Sequence, residues 1–172
     1  NVWDGFRFNI PDWLIIFCVY NLICQFIYLP ETFKFTNTMT RNLTIASRLR
    51  EVLLDGHWIA NTNFKEQILN VNWRQAIQKT GSLNTIAALT YHINYYLAGL
   101  LNAFEKGKLE ISDNYSFDLP QIQSEADWKE LVTNFLSNSE KFASHVEQMD
   151  DNLLDQPFVD EKYGSYLRNI EG

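Results

Sequence analysis

The sequence predicts an all-α fold, a bundle of amphipathic helices that form one main domain. Apolar residues after residue 42 recur at intervals of three and four, which places them on one face of a helix. Glycine and proline are few, 7 and 4 among 172 residues, so long helices with few breaks are favoured over a turn-rich β-chain. A hydrophobic fraction of 46% is enough for one sizeable core.

The charge of the chain argues against nucleic acid as a partner. The formal net charge is −7 and the isoelectric point is about 4.9. Most of the acidic residues, 18 of 21, follow residue 38. Because binding to a phosphate backbone needs a basic surface that displaces counterions, we predict no role in nucleic-acid binding.

An apolar extension, residues 1–38, precedes the main domain of residues 39–172. Its residues 13–29 are the most apolar run of the chain, and three explanations for them stay open. A membrane-spanning helix needs about 20 apolar residues, whereas this run has 17 and includes Asn21 and Gln25. A secretory signal peptide would need a basic leader and a small-residue cleavage site, which the run lacks.

The third explanation is that the extension is not native to the protein. Residue 1 is not methionine, and Met39 stands directly before the pattern of the main domain. If residues 1–38 are ordered, we expect one extra helix against an exposed apolar face of the bundle. Membrane association is disfavoured but open, and a cytoplasmic location is expected. Cys18 and Cys24 both lie in the extension, so no disulfide framework or cysteine zinc site is predicted.

The first helix of the main domain is predicted over residues 43–69. A short irregular turn follows over residues 72–78. The helix is predicted because a single apolar face runs through the whole segment. That face consists of Leu49, Val52, Leu53, Gly56, Ile59, Ala60, Phe64 and Ile68.

The second helix is predicted to begin at Asn84 and to end at Gly107. Asn84 can cap the helix by accepting a hydrogen bond from a backbone N–H of the first turn. Gly107 can adopt the left-handed conformation that ends many helices. The apolar face consists of Ile86, Leu89, Ile93, Tyr96, Leu97, Leu100, Leu101 and Phe104.

A long connection and two further helices complete the domain. Residues 108–123 lack a helical period and are predicted to cross one end of the bundle. Ser124 and Asp127 resemble a capping box at the start of the third helix. A fourth helix begins near Ser165 and is cut short at Gly172. Helices of this kind, each with one apolar stripe, pack as an antiparallel bundle.

The three histidines are the candidates for chemistry, because the sequence has no glycine-rich phosphate loop, HExxH motif or GxSxG motif. His92 lies on the second helix, where Ala88 and Gly99 leave room for its ring. It is either a metal ligand or, as spacing alone favours, a histidine at the core edge satisfied by a hydroxyl or carbonyl. His57 faces inward or outward with equal ease, and His145 is predicted to be solvated.

Several segments resemble, in order, an uncharacterised branch of the DinB and YfiT-like superfamily. The resemblance covers residues 40–172 and depends on the ordered set, since no single segment is diagnostic. The segments are DGHWIANTNFKEQI, TIAALTYHINYYLAGLL, YSFDLPQIQSEADWKELV and FVDEKYGSYLRNIEG.

The resemblance implies an up-down-down-up four-helix bundle, often dimeric, that holds a divalent zinc or nickel ion through three histidines. It assigns His92 as the ligand from the second helix. The other two ligands form an HxxxH pair in the fourth helix of such proteins, and this chain ends at Gly172 before such a pair. We therefore expect an incomplete metal site, since a catalytic ion usually needs three protein ligands.

The function that the resemblance implies is that of a metal-dependent hydrolase or a thiol-dependent transferase, in which the metal activates water or a thiolate. Its small-molecule substrate is unknown. The alternative is a non-catalytic helical scaffold that acts through dimerisation or by binding a partner helix, because an unpaired apolar face would otherwise be exposed.

Overall fold

The computed structural model of the protein describes residues 40–57 and 60–172. No β-strand occurs in these ranges, so the all-α prediction is confirmed. The expectations for residues 1–38, including the apolar run 13–29, lie outside the described residues. The helices are α1 (Arg41–Arg50), α2 (Phe64–Leu69), α3 (Trp73–Ala76), α4 (Ile86–Lys106), α5 (Glu125–Glu147) and α6 (Tyr166–Glu171).

The prediction of one unbroken helix over residues 43–69 is wrong. Helix α1 continues as a π-helical turn, Glu51–Asp55, and stops at Gly56. A Cβ atom on Gly56 would lie 2.5 Å from the Glu51 Cα atom, so only glycine lets the chain turn back this tightly. A new helix, α2, then starts at the cap residue Asn63. The apolar period runs through the break because both helices face the same core.

The segment before α4 differs from the sequence prediction in two details. The predicted irregular turn contains the one-turn helix α3, which is closed by a capping box between Asn72 and Gln75. The cap of α4 is Thr85 rather than Asn84, since the Thr85 hydroxyl accepts a hydrogen bond of 3.1 Å from the Ala88 N–H.

The other helix boundaries follow the sequence prediction. Gly107 ends α4 in the left-handed conformation, with φ of 66°. The Ser124 capping box is complete, because Ser124 and Asp127 each accept a hydrogen bond from the other's backbone N–H. Ser165 caps α6 in the same manner, by accepting from the Arg168 N–H.

Helices α4 and α5 run in the same direction. Asn94 and Asn138 are hydrogen-bonded at 2.9 Å, and further along both helices the Phe104 and Phe142 rings lie 5.7 Å apart. The segment 108–123 therefore crosses the length of the bundle, as a parallel pair requires. The expected purely antiparallel packing is wrong for this pair, because a connection of this length allows the chain to return before α5 begins.

Helix α5 supplies the centre of the core and packs against both α1 and α4. Its inward side chains are almost completely shielded from solvent. The largest fully buried side chains of the described residues include three from α5 and one from the segment before α6: Trp128, Phe135, Phe142 and Phe158.

The start of α1 and the end of α5 cap each other. The Asp151 carboxylate, just beyond α5, accepts hydrogen bonds of 3.0 and 2.8 Å from the backbone N–H groups of Arg41 and Asn42. In return, the Asn42 side chain donates to the carbonyl oxygens of Glu147 and Met149, at 2.6 and 2.9 Å. Two helix ends that would otherwise leave polar groups unpaired are thereby satisfied together.

Replacement of Asn42 by alanine should lower the free energy of unfolding by about 2 kcal/mol, because two carbonyl oxygens in a buried position lose their donor. The Asn42 side chain is only 8% exposed, so water cannot readily replace it. Urea denaturation measures the change. The exposed Asn152 gives a matched control, and equal stability of N42A and N152A would contradict the prediction.

Candidate functional site

A cleft of about 680 Å³ opens on the side of the bundle. Helix α4 and the connection 108–123 supply most of the lining, Leu49 of α1 lies at another side, and residues of α6 complete it. Most of the lining is apolar, and His92, Tyr96 and Asp113 form one polar edge. The lining residues are Leu49, His92, Ile93, Tyr96, Leu97, Leu100, Leu109, Ile111, Asp113, Phe142, Tyr163, Asn169, Ile170 and Gly172.

The apolar wall follows from the helix period. Ile93, Leu97 and Leu100 are spaced by four and three residues along α4, so all three face the cleft. Phe142 of α5 lies at the base and is 1% exposed. A concave apolar surface with a few polar groups at its edge is the usual form of a small-molecule site.

The connection between α4 and α5 is bound along the outer face of α4. Tyr95 and Ser112 form two hydrogen bonds, in which the phenol donates to the Ser112 carbonyl at 3.0 Å and accepts from its N–H at 2.9 Å. One turn later, Ile111 lies directly over Gly99, where a Cβ atom would be only 2.3 Å from the Ile111 Cγ2 atom. The connection therefore places its own side chains at the edge of the cleft.

His92 lies at this edge, where it is half-buried. Its Nδ1 atom is 3.3 Å from the carbonyl oxygen of Ser116, so Nδ1 carries the hydrogen and donates it. In the neutral ring, Nε2 then keeps a free lone pair. Phe117 stacks on the ring at 4.1 Å and Tyr96 meets it edge-on at 5.0 Å, which holds the orientation of the imidazole.

Tyr96 and Asp113 form the second part of the edge. The Tyr96 hydroxyl donates to Asp113 Oδ1 at 2.7 Å. This hydrogen bond, together with desolvation, raises the pKa of Tyr96, so the phenol stays protonated and remains a donor to the carboxylate.

Asn169 of α6 lies in the wall of the cleft with both of its amide hydrogens in use. Its Nδ2 atom donates to the carbonyl oxygens of Tyr163 and Ser165, at 3.0 and 2.8 Å. Because both partners are acceptors, the orientation of the amide is settled by the network. Its Oδ1 atom, an acceptor, has no hydrogen-bond partner among residues 40–57 and 60–172.

Of the three histidines, only His92 belongs to the described lining of the cleft. His57 lies in the loop after Gly56 rather than on a helix, and it is exposed. His145 is half-buried and its ring stacks on Phe104 at 4.6 Å, so the expectation of a solvated histidine is wrong. A ring one residue from a core position can still reach an aromatic neighbour on the next helix.

Sequence reasoning did not identify the other polar residues of the cleft. Tyr96 appears there only as part of an apolar face, although its place one turn after His92 is a local signal. Asp113, Tyr163 and Asn169 carry no such signal, because the chain brings them to α4 from distant segments.

Within residues 40–57 and 60–172, no group of three or more His, Cys, Asp or Glu side chains is placed to hold a metal ion. The described residues around His92 therefore do not fit the three-ligand site that the resemblance implies. None of the described helices is long and apolar enough to cross a membrane.

The described residues define an all-helical domain with a lateral apolar cleft that has a polar edge. No model of a protein family, no curated protein and no solved structure matches the chain. The similarity to the DinB and YfiT-like superfamily stays a prediction from the sequence segments.

Replacement of Gly99 by alanine tests the packing of the connection on α4. The new methyl group would press on Ile111 at a cost of about 1–3 kcal/mol, while the higher helix propensity of alanine returns about 1 kcal/mol. We expect a net loss of stability of about 1 kcal/mol. In an Ile111→Ala background the same replacement should be neutral or stabilising. A double-mutant cycle by urea denaturation measures this coupling, and additive effects would contradict the contact.

Proposed function

We propose that residues 40–172 form a DinB-like domain that binds a small, largely apolar molecule in the cleft beside His92. The observation that carries the proposal is the cleft itself, with about 680 Å³ of space, an apolar wall and a polar edge. Its volume lies within the usual range for small-molecule sites.

The order of the helices supports the DinB-like part of the proposal. The parallel pair α4 and α5, joined by the long connection 108–123, is the arrangement expected for the two middle helices of an up-down-down-up bundle. Helix α1 runs against α5, since Asn42 meets the end of α5 and Arg50 pairs with Glu140 one to two turns earlier. The short α6 begins where a fourth helix would.

A metal-dependent reaction remains a proposal from the resemblance alone. His92 would be the ligand, through its free Nε2 atom, and zinc or nickel would supply activation of water or a thiolate. The described residues provide no second and third ligand beside it. We propose binding as the activity of the cleft, because its volume and apolar lining support that function directly.

A neutral fluorescent probe, 2-(1-naphthyl)ethanol, tests the proposed site. We expect saturable binding of one probe per chain, with NMR shifts confined to methyl groups that line the cleft, among them those of Leu49, Leu97 and Leu100. Leu109→Trp should weaken binding at least about tenfold, because the larger ring fills the cleft from the connection without altering a helix. Leu83→Trp, at an exposed leucine outside the cleft, is the control. Unchanged binding by L109W would contradict the proposed site.

The second candidate function is that of a helical scaffold that forms a dimer. It is favoured by exposed apolar side chains around the start of α4. Ile86 and Leu89, three residues apart on the helix, are 39% and 42% exposed, and Leu83 in the loop before it is 67% exposed. Such exposed apolar side chains are typical of a face that another helix covers.

Light scattering after size exclusion tests the scaffold. If this face forms a dimer, the wild-type chain should be dimeric, and Ile86→Glu with Leu89→Lys should make it monomeric. The pair Leu69→Glu and Ile77→Lys, at exposed apolar residues elsewhere, should leave the dimer intact. A monomeric wild-type chain at high concentration would exclude this function while leaving the cleft proposal unaffected.

A further inference from the structure

The ligand chemistry of the cleft can be inferred from its charges. Asp113 is the ionised side chain in the described wall, and no lysine or arginine is among the lining residues described. The nearby Lys162 lies over the Tyr163 ring at 4.7 Å and is paired with Asp160 at 3.0 Å, outside the lining. The polar edge is therefore negative, which disfavours an anionic ligand.

The hydrogen bonds inside the wall lead to the same conclusion independently. The Tyr96 hydroxyl donates to Asp113, and His92 Nδ1–H donates to the Ser116 carbonyl. Asn169 donates both of its amide hydrogens to backbone carbonyls. The acceptors without a partner in the part of the chain that the structure describes are Asp113 Oδ2, His92 Nε2 and Asn169 Oδ1. The Tyr163 hydroxyl can take either role.

A ligand that suits such a wall must bring donors and a positive charge. Acceptors left unpaired on binding would lose their hydrogen bonds to water without replacement, and that loss selects against ligands with no donor. A bare carboxylate or phosphate on the ligand would face the charge of Asp113 and would find only the Tyr163 hydroxyl as a donor among these polar side chains. An ammonium group offers up to three donors and is attracted by Asp113.

We propose that the cleft binds an organic amine, with its apolar body against Ile93, Leu97 and Leu100 and its ammonium group at the edge formed by His92 and Asp113. This inference rests on the proposed binding function and adds the class of ligand to it. Asp113 determines the preference for a cation, and the apolar wall supplies affinity that amine, alcohol and acid share.

Three probes with one naphthyl body test the ligand class by isothermal titration. They are 2-(1-naphthyl)ethylamine, 2-(1-naphthyl)ethanol and 1-naphthaleneacetate. Because Asp113 is exposed, we expect the amine to bind about fivefold more tightly than the alcohol and at least about tenfold more tightly than the acid.

Asp113→Asn should remove the preference of the site for the amine. The amine and the alcohol should then bind within about twofold of each other, while affinity for the alcohol stays as in the wild type, which shows that the cleft is intact. Asp118→Asn is the matched control, because it removes one exposed carboxylate from the same connection outside the lining. It should keep the preference for the amine.

The remaining outcomes would overturn either the ligand class or the binding function. If the alcohol or the acid binds as tightly as the amine, the ligand class is wrong and the binding cleft stands. An equal effect of D113N and D118N would also overturn the ligand class, since it would point to general charge. If one zinc or nickel ion per chain displaces the amine, and His92→Ala abolishes this displacement, the cleft is a metal site and not an amine site. If no probe binds, the proposed function itself fails.

Discussion

The fold depends on the reciprocal capping between the start of α1 and the end of α5. Asn42 and Asp151 are more than 100 residues apart, yet each forms hydrogen bonds with backbone groups at the other's helix end that would otherwise be unpaired. Together with the pairing of Arg50 with Glu140 and Glu147, this contact sets the height of α1 along α5 and so the position of Leu49 in the cleft.

The connection between α4 and α5 has a comparable role for the polar edge. It must run the length of the bundle because the two helices are parallel, and it does so along α4. Ser112 is hydrogen-bonded to Tyr95, and Ile111 packs over Gly99. That path brings the Ser116 carbonyl to His92 and the Asp113 carboxylate to Tyr96. The side-chain hydrogens of both aromatic residues are thereby directed away from a ligand. The acceptor character of the cleft is a consequence of the topology.

His92 shows how a resemblance and a structure inform each other. The resemblance singled out this residue as one of three ligands, and the structure places it at the edge of the cleft, with no partner for Nε2 among the described residues. The Ser116 carbonyl accepts a hydrogen bond from Nδ1 and so orients the ring. In metal-bound histidines, a hydrogen-bond partner on the nitrogen that does not bind the metal has the same effect. The Nε2 atom serves equally well as a hydrogen-bond acceptor for an ammonium group.

The sequence by itself determined the helical class, the limits of α4 within about a residue and the start of α5 at its capping box. These features depend on local physics, since an apolar period, a capping box and a glycine stop act over four or five residues. Only the tertiary structure decided the break at Gly56, the parallel pair and the gathering of Asp113, Tyr163 and Asn169 around the cleft. The break at Gly56 is local, but the apolar period runs through it. The other two features depend on contacts between distant segments, which no local pattern in the chain encodes.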